Sequence, residues 1–268
     1  MLIPRILTAL VLLPLMLSAI FTFPPLLWAG FSALITGLAL WEYARMAKMK
    51  PAVMAGYLLL SALFALFSWS RAFHLPLWGH GLVLLFWLGV TPVWLVRRLP
   101  VPQGWRAWLL GWMLMFPAWF ALLDWRPLAE RQAGLQLLAV MALVWIADVA
   151  AYFAGKAFGR RKLAPAISPG KSWEGVFGAL LVVALYALLL PQTGWLSLPL
   201  SGWQCLLLAL PLTVVSVMGD LLESWFKRSA AIKDSSRLLP GHGGVYDRID
   251  SLIAVLAVAN ALRVLSGW

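Results

Sequence analysis

The feature that most limits how this chain can fold is the recurrence of apolar runs about twenty residues long. A run of that length crosses a bilayer as a helix, because in hydrocarbon the backbone polar groups must be satisfied internally. Nine such runs are read along the 268 residues, over approximately 5–22, 25–44, 52–70, 80–96, 105–123, 133–155, 173–191, 203–222 and 250–267. Only 12% of residues are charged and 63% are apolar, about half the charge expected of a soluble domain. The expected fold class is all-α, a polytopic transmembrane helical bundle of about nine spans. Arg5 ahead of the first run has the look of a secretory leader. No clear small-residue cleavage signal follows and equally apolar runs succeed it, so a retained first span is expected.

Nine spans put successive loops on alternate sides. The amino end and the second, fourth, sixth and eighth loops hold 17 of the 21 Lys and Arg, and the odd-numbered loops hold 3. That asymmetry predicts a cytoplasmic amino end, with the two large polar loops, 156–172 and 223–249, on the same side. The net charge of +11 is scattered through short loops, which suits topology and anionic headgroups and argues against a nucleic-acid partner. Cys205 is the only cysteine, which excludes a disulfide and a CxxC redox pair. The chain is read as one membrane domain, with 1–131 as scaffold and lipid-access spans and 132–268 as catalytic spans and loops.

The chemistry concentrates in residues 218–250, which hold five of the ten acids, five of the basic residues and one of three histidines. Asp220, Glu223 and Ser224 share a helical face by their spacings of three and four, and Lys227 continues it. Lys233 and Asp234 follow, then the breaker series Pro240, Gly241, His242, Gly243, Gly244, then Asp247, Arg248 and Asp250. His242 is open to two readings, a reacting group or a brace for its turn. Asp148 lies about 10 Å along its span from the cytoplasmic end, with Tyr152 one turn on. A carboxylate at that depth costs about 3 kcal/mol unless it has a partner, a cavity or a function.

Between these, residues 155–175 interleave helix breakers with Lys156, Arg160, Arg161, Lys162 and Lys171. Ser168, Lys171 and Ser172 ahead of a helix resemble an anion site, while Ser172 as N-cap with Glu174 in the first turn is also an ordinary helix opening. Asp148, Glu174, Asp220, Glu223, Asp247 and Asp250 all fall near the cytoplasmic ends of the last four spans. Oxygen ligands converging there suit a hard cation such as magnesium, and carboxylates interleaved with cations suit phosphoryl or nucleotidyl transfer.

Ser224-x-Phe226-Lys227-Arg228, Lys233-Asp234, and Leu239-Pro240-x-His242-Gly243-Gly244-Val245-x-Asp247-Arg248-Ile249-Asp250 resemble the signature of the phosphatidate cytidylyltransferase, or CDP-diacylglycerol synthase, family. Asp148 with Tyr152, and Ser168-Pro169-x-Lys171-Ser172-x-Glu174-Gly175, resemble it too, with Ser172 where a threonine is common. The resemblance is specific from about Trp145 to Asp250. It implies conversion of CTP and phosphatidate to CDP-diacylglycerol and pyrophosphate, with Mg2+, in some members a K+ ion beside it, and a homodimer in a bacterial inner membrane. It also implies roles. Asp220, Asp247 and Asp250, with Asp148 as a further candidate, would hold the metal; Lys227, Arg228, Lys233 and Arg248 would neutralise the triphosphate, with Asp234 and His242 beside them. Asp148, Tyr152, Ser168, Lys171, Ser172, Glu174, Glu223, Ser224, Gly243 and Gly244 would bind substrate. The rival readings are an ion-coupled transporter, which predicts charge spread across the membrane, and another membrane lipid transferase or kinase.

Overall fold

A computed structural model of the protein describes residues 2–196 and 200–267. Among these residues nine long helices are found: α1 Leu2–Thr22, α2 Pro25–Met46, α3 Pro51–Ser70, α4 Leu77–Arg97, α5 Trp105–Trp125, α6 Arg131–Phe158, α7 Trp173–Leu189, α8 Gly202–Ala230 and α9 Tyr246–Ser266. Eight of them, α2 to α9, are long and apolar enough to cross a membrane. In α1 the apolar stretch Leu10–Thr22 is shorter than these eight. The side chain of Arg5, counted with the basic residues of the amino end, lies outside the described residues. The chain is thus an all-α polytopic membrane bundle, as the apolar runs predict.

The helix starts follow local chemistry. Pro25 and Pro51 sit at the first helical position of α2 and α3, where a missing N–H costs nothing and φ is already helical. A reciprocal Ser201 and Gln204 capping box opens α8. In α4, Pro92 cannot donate to the preceding turn, and the helix widens to a π segment over Leu85–Val90, where the Thr91 hydroxyl donates to the Phe86 carbonyl at 3.0 Å.

Helix α9 is the central post. Every residue from Ser251 to Ala261 is buried, and it packs against α8, α5, α4 and α6. Its alanines let neighbours approach closely, which is how helices associate where no hydrophobic driving force separates protein from lipid. Gly219 of α8 is part of the same contact, since a Cβ there would meet the Asp250 carbonyl. Large apolar side chains of α1, α3, α6 and α7 remain exposed toward the surrounding lipid.

Two helices run past their apolar stretches. The eighth apolar run is expected to end near 222, yet its helix, α8, continues to Ala230, and at 29 residues it is about 43 Å long, well beyond a hydrocarbon core of about 30 Å. The polar segment from Asp220 to Arg228 is therefore helical. Residues 156–172, expected as an irregular loop, continue α6 to Phe158 and then form a small antiparallel hairpin, β1 Lys162–Ala164 with β2 Ser168–Ser172.

Contacts sort the connections into two ends. At one end the Arg45 guanidinium reaches the Ser235 carbonyl, Trp225 donates to Leu99 and the Thr8 hydroxyl donates to Pro240. At the other, Asp124 accepts from Asn260 at 2.8 Å and pairs with His74 at 2.9 Å, while Arg126 donates to the Ile20 and Phe23 carbonyls. This is the alternation that the loop charges predict. The hairpin and the 231–245 loop share the first end.

Candidate functional site

The hairpin swings Lys171 across the end of α6 onto α8. Its ammonium lies 2.6 Å from the Asp220 carboxylate, with both side chains part-exposed. Ser172 closes the strand and caps α7, accepting from the Gly175 N–H at 3.3 Å. Gly175 is required at this crossing, because a Cβ there would press on the Ala151 carbonyl of α6. The result is a cavity of about 450 Å3 between α6, α7, α8 and the hairpin, lined by Asp148, Tyr152, Ser168, Lys171, Ser172 and Asp220 among others. Its deeper wall is apolar, with Ala147, Ala179 and Val217. Lys156 lies over the Tyr152 ring at 5.8 Å from its centroid.

Asp148 of α6 and Asp220 of α8 line this cavity. Asp250 of α9 lies within electrostatic reach of both and of Lys171, and Arg248 within the same reach of Asp148. The Ser224 hydroxyl donates to the free side of Asp220 at 3.2 Å. The Asp250 carboxylate accepts from the Ser251 N–H at 2.7 Å.

A second, buried network stands behind it. Lys227 bridges Glu223 at 2.5 Å and Asp247 at 2.7 Å, and neither carboxylate is more than 4% exposed. The other Asp247 oxygen accepts from the Ser235 N–H and hydroxyl, both at 2.9 Å, and from the Gly244 N–H at 2.7 Å. Gly243 adopts φ +87°, a left-handed conformation open to glycine at little cost, and this turns the Gly244 N–H inward. Behind Asp247 stands Glu42 of α2, fully buried. It accepts from the hydroxyls of Ser235 and Ser236 and from the N–H groups of Val245 and Tyr246, at 2.5 to 3.0 Å. Those two N–H groups lie at the start of α9, where a negative charge is favoured.

The signature residues thus divide. Asp148, Tyr152, Ser168, Lys171, Ser172, Asp220 and Ser224 come together around the cavity, with Asp250 and Arg248 beside them. Glu223, Lys227, Asp247, Gly243 and Gly244 form the brace. Asp220, Glu223 and Lys227 share one face of the unbroken helix α8, as their spacing predicts, but their side chains take different partners: Asp220 meets Lys171 of the hairpin, while Lys227 joins Glu223 to Asp247 of α9. Asp247, expected on the metal with Asp220 and Asp250, is only 4% exposed and held by Lys227, Ser235 and Gly244, whereas Asp220, which meets Lys171 and Ser224, is 31% exposed. Glu174 accepts from the Arg161 N–H at 3.1 Å and pins the hairpin. Arg228 donates to the Ile167 carbonyl at 3.3 Å. His242 belongs to the 239–243 turn, where its N–H donates to Leu239. Lys233 and Asp234 line a different pocket with Arg45 and Arg237.

The amino-terminal half was expected to be scaffold, and Glu42 shows that it also holds the loop in place. One signal was available: Glu42 is the only acid before Asp124, and a carboxylate on an apolar helix needs partners. Its partners, Ser235 and Ser236, carry no signal of their own.

Among the described residues no three His, Cys, Asp or Glu side chains stand close enough to form a metal cage. Magnesium does not require one, since it is held by one or two carboxylates completed by water and phosphate oxygens. The donor set fits such an ion, because the carboxylates of Asp220, Asp148 and Asp250 outnumber the nearby cations Lys171 and Arg248.

The cytidylyltransferase family profile matches residues 3–266. The phosphatidate cytidylyltransferase of Pseudomonas aeruginosa is 44% identical over 98% of this chain and 97% of its own length. That of Haemophilus influenzae is 34% identical over 94% of this chain and 95% of its own. That of Brucella suis is 48% identical over 122 residues, 46% of this chain and 44% of its own.

Proposed function

This chain belongs to the cytidylyltransferase family, and we propose how its cavity carries out the reaction. The protein is a membrane nucleotidyltransferase that converts CTP and phosphatidate to CDP-diacylglycerol and pyrophosphate. A phosphatidate oxygen attacks the α-phosphorus of CTP, a new P–O bond forms, and the bond to the β-phosphate oxygen breaks with departure of pyrophosphate. The second pKa of a phosphomonoester is near 6, so the nucleophile is already largely anionic at neutral pH. No side chain has to remove a proton.

The observation that carries this reading is the Lys171–Asp220 ion pair inside the cavity. Each member of the pair holds a place for a component of the reaction. Lys171 turns to phosphate oxygens, and Asp220, with Asp148 and Asp250, would hold a magnesium ion, which would supply positive charge against the charge that builds on the leaving pyrophosphate. Arg248 adds positive charge beside Asp148. Ser168 orients the phosphate, and Ser224 keeps Asp220 aimed. The apolar depth of the cavity excludes water, which strengthens each of these interactions. The acyl chains stay in the bilayer, and the cavity faces the cytoplasm of a bacterial inner membrane, where CTP is available.

The test is turnover of labelled CTP and phosphatidate by purified, detergent-solubilised protein, with Lys171→Ala and Lys171→Arg compared. Loss of one preorganised cation costs about 100- to 1,000-fold in kcat. Lys171→Arg is expected to recover part of this. Undiminished turnover in Lys171→Ala would sink the assignment.

A further inference from the structure

A second polar pocket lies on the far side of the 231–245 loop and shares no lining residue with the cavity described above. Its volume is about 680 Å3, and Trp41, Arg45, Lys233, Asp234, Ser236 and Arg237 line it. It holds three cationic side chains and one carboxylate. Among the described residues none of these cations has a carboxylate within 4.0 Å. The Arg45 guanidinium is fixed over the Trp41 ring, 4.9 Å from its centroid, and touches the Ser235 carbonyl at 3.4 Å. Lys233 and Arg237 are exposed.

Trp41 also closes one end of an apolar groove of about 600 Å3, which runs between α2, α3 and α5 from Leu26 to Trp41. That stretch of α2 is about 22 Å long, more than one leaflet of a hydrocarbon core about 30 Å thick. The few polar groups in the groove are satisfied within the protein: Thr36 donates to Ser32, and Ser61 donates to Tyr57. Leu26, Leu34 and Leu66 leave it open to the bilayer. A long apolar groove that ends in unpaired cations at one end of the bundle matches one class of ligand.

We propose that the α2–α3–α5 groove and the Arg45, Lys233, Arg237 pocket together bind a diacyl phospholipid with an anionic headgroup. Its acyl chains lie along the groove and its phosphate lies among the three cations. The phosphate then ties α2 to the 231–245 loop at the junction that Glu42 already clamps through Ser235 and Ser236. The bound lipid is a structural effector rather than a substrate. Its binding does not depend on the reaction proposed above.

The full-length protein, reconstituted in nanodiscs of phosphatidylcholine and phosphatidylglycerol in equal amounts, provides the test. After extraction into detergent, native mass spectrometry reads the lipid that stays bound. Phosphatidylglycerol is the probe because it carries the anionic phosphate and is a phosphodiester, which cannot serve as the nucleophile. Wild type is expected to retain phosphatidylglycerol over phosphatidylcholine. The double variant Arg45→Ala/Arg237→Ala is expected to lose that preference by on the order of tenfold, since each basic side chain near a lipid surface contributes several-fold. Arg237→Glu, in an exposed loop side chain, reports the same loss if Arg45→Ala unsettles the fold. Asp220→Asn is expected to retain phosphatidylglycerol as wild type does, even where turnover is gone. Equal retention of the two lipids by wild type, or an undiminished phosphatidylglycerol preference in Arg237→Glu and the double variant, overturns the proposal.

Discussion

Glu42 and Ser235 are 193 positions apart in the chain and 2.9 Å apart in the fold. The same hydroxyl lies 2.9 Å from Asp247, so its single proton is shared between an acid of the amino-terminal half and an acid of the signature. Through it α2 sets the path of the 231–245 loop and the start of α9, and with that the positions of Arg248 and Asp250 beside the proposed catalytic cavity.

Glu42→Gln keeps the shape of the side chain and removes its charge, while its amide N–H2 faces donors where an acceptor is needed. With the two donors on one oxygen left without an acceptor, the expected cost is about 2–3 kcal/mol. The apparent Tm in detergent should fall, and the KM for CTP should rise as the loop loosens. Glu42→Asp should restore part of both, and an unchanged Tm in Glu42→Gln would contradict the clamp.

Gly244 has no room for a methyl group. A Cβ there would run into the Ser235 hydroxyl and both oxygens of Glu42, so Gly244→Ala is expected to destabilise by about 1–3 kcal/mol. Gly56 of α3, whose added Cβ meets nothing within 4 Å, is the control: Gly56→Ala should be neutral or stabilise by about 0.5–1 kcal/mol. Thermal unfolding of the two variants side by side decides the matter.

Asp220→Asn and Asp247→Asn separate the cavity from the brace. Asp220→Asn should shift the magnesium dependence of turnover to higher concentration and lower kcat, at near-normal Tm. Asp247→Asn should lower Tm by leaving Lys227 and Ser235 poorly partnered, with the magnesium midpoint unchanged. A magnesium midpoint raised more by Asp247→Asn than by Asp220→Asn would return Asp247 to the metal.

Lys227→Ala removes the one cation shared by two buried carboxylates. Leaving Glu223 and Asp247 uncompensated is expected to cost about 3–5 kcal/mol. Most of that should return in Lys227→Ala/Glu223→Gln, which removes one of the stranded charges. A double variant no more stable than the single one, measured by chemical unfolding, would show that Lys227 is not bridging the pair.

The spans were legible because hydrocarbon imposes one rule on every residue of a crossing helix, and a rule applied over twenty positions leaves a pattern in the chain. The pairing of hairpin with α8 was only partly legible: Lys171 and Asp220 both stood out as polar residues, but nothing in their spacing joins them. The limits of spacing show most clearly at Asp247 and Asp250. Three residues apart, they share a helical face and read as equivalent, yet Gly244, Ser235 and Lys227 take the oxygens of Asp247 while Asp250 lies near Asp220.

The amino-acid sequence by itself determined the membrane-spanning helices, the end of the bundle on which the charges gather, and the polar residues from which the proposed site is drawn, because hydropathy, charge asymmetry and residue type are properties of single positions and short windows. Only the tertiary structure decided which carboxylates face the cavity, which are spent on holding the loop, and that Glu42 belongs with them. A carboxylate's role depends on which donors reach it, and here those donors come from helices and turns far away in the chain.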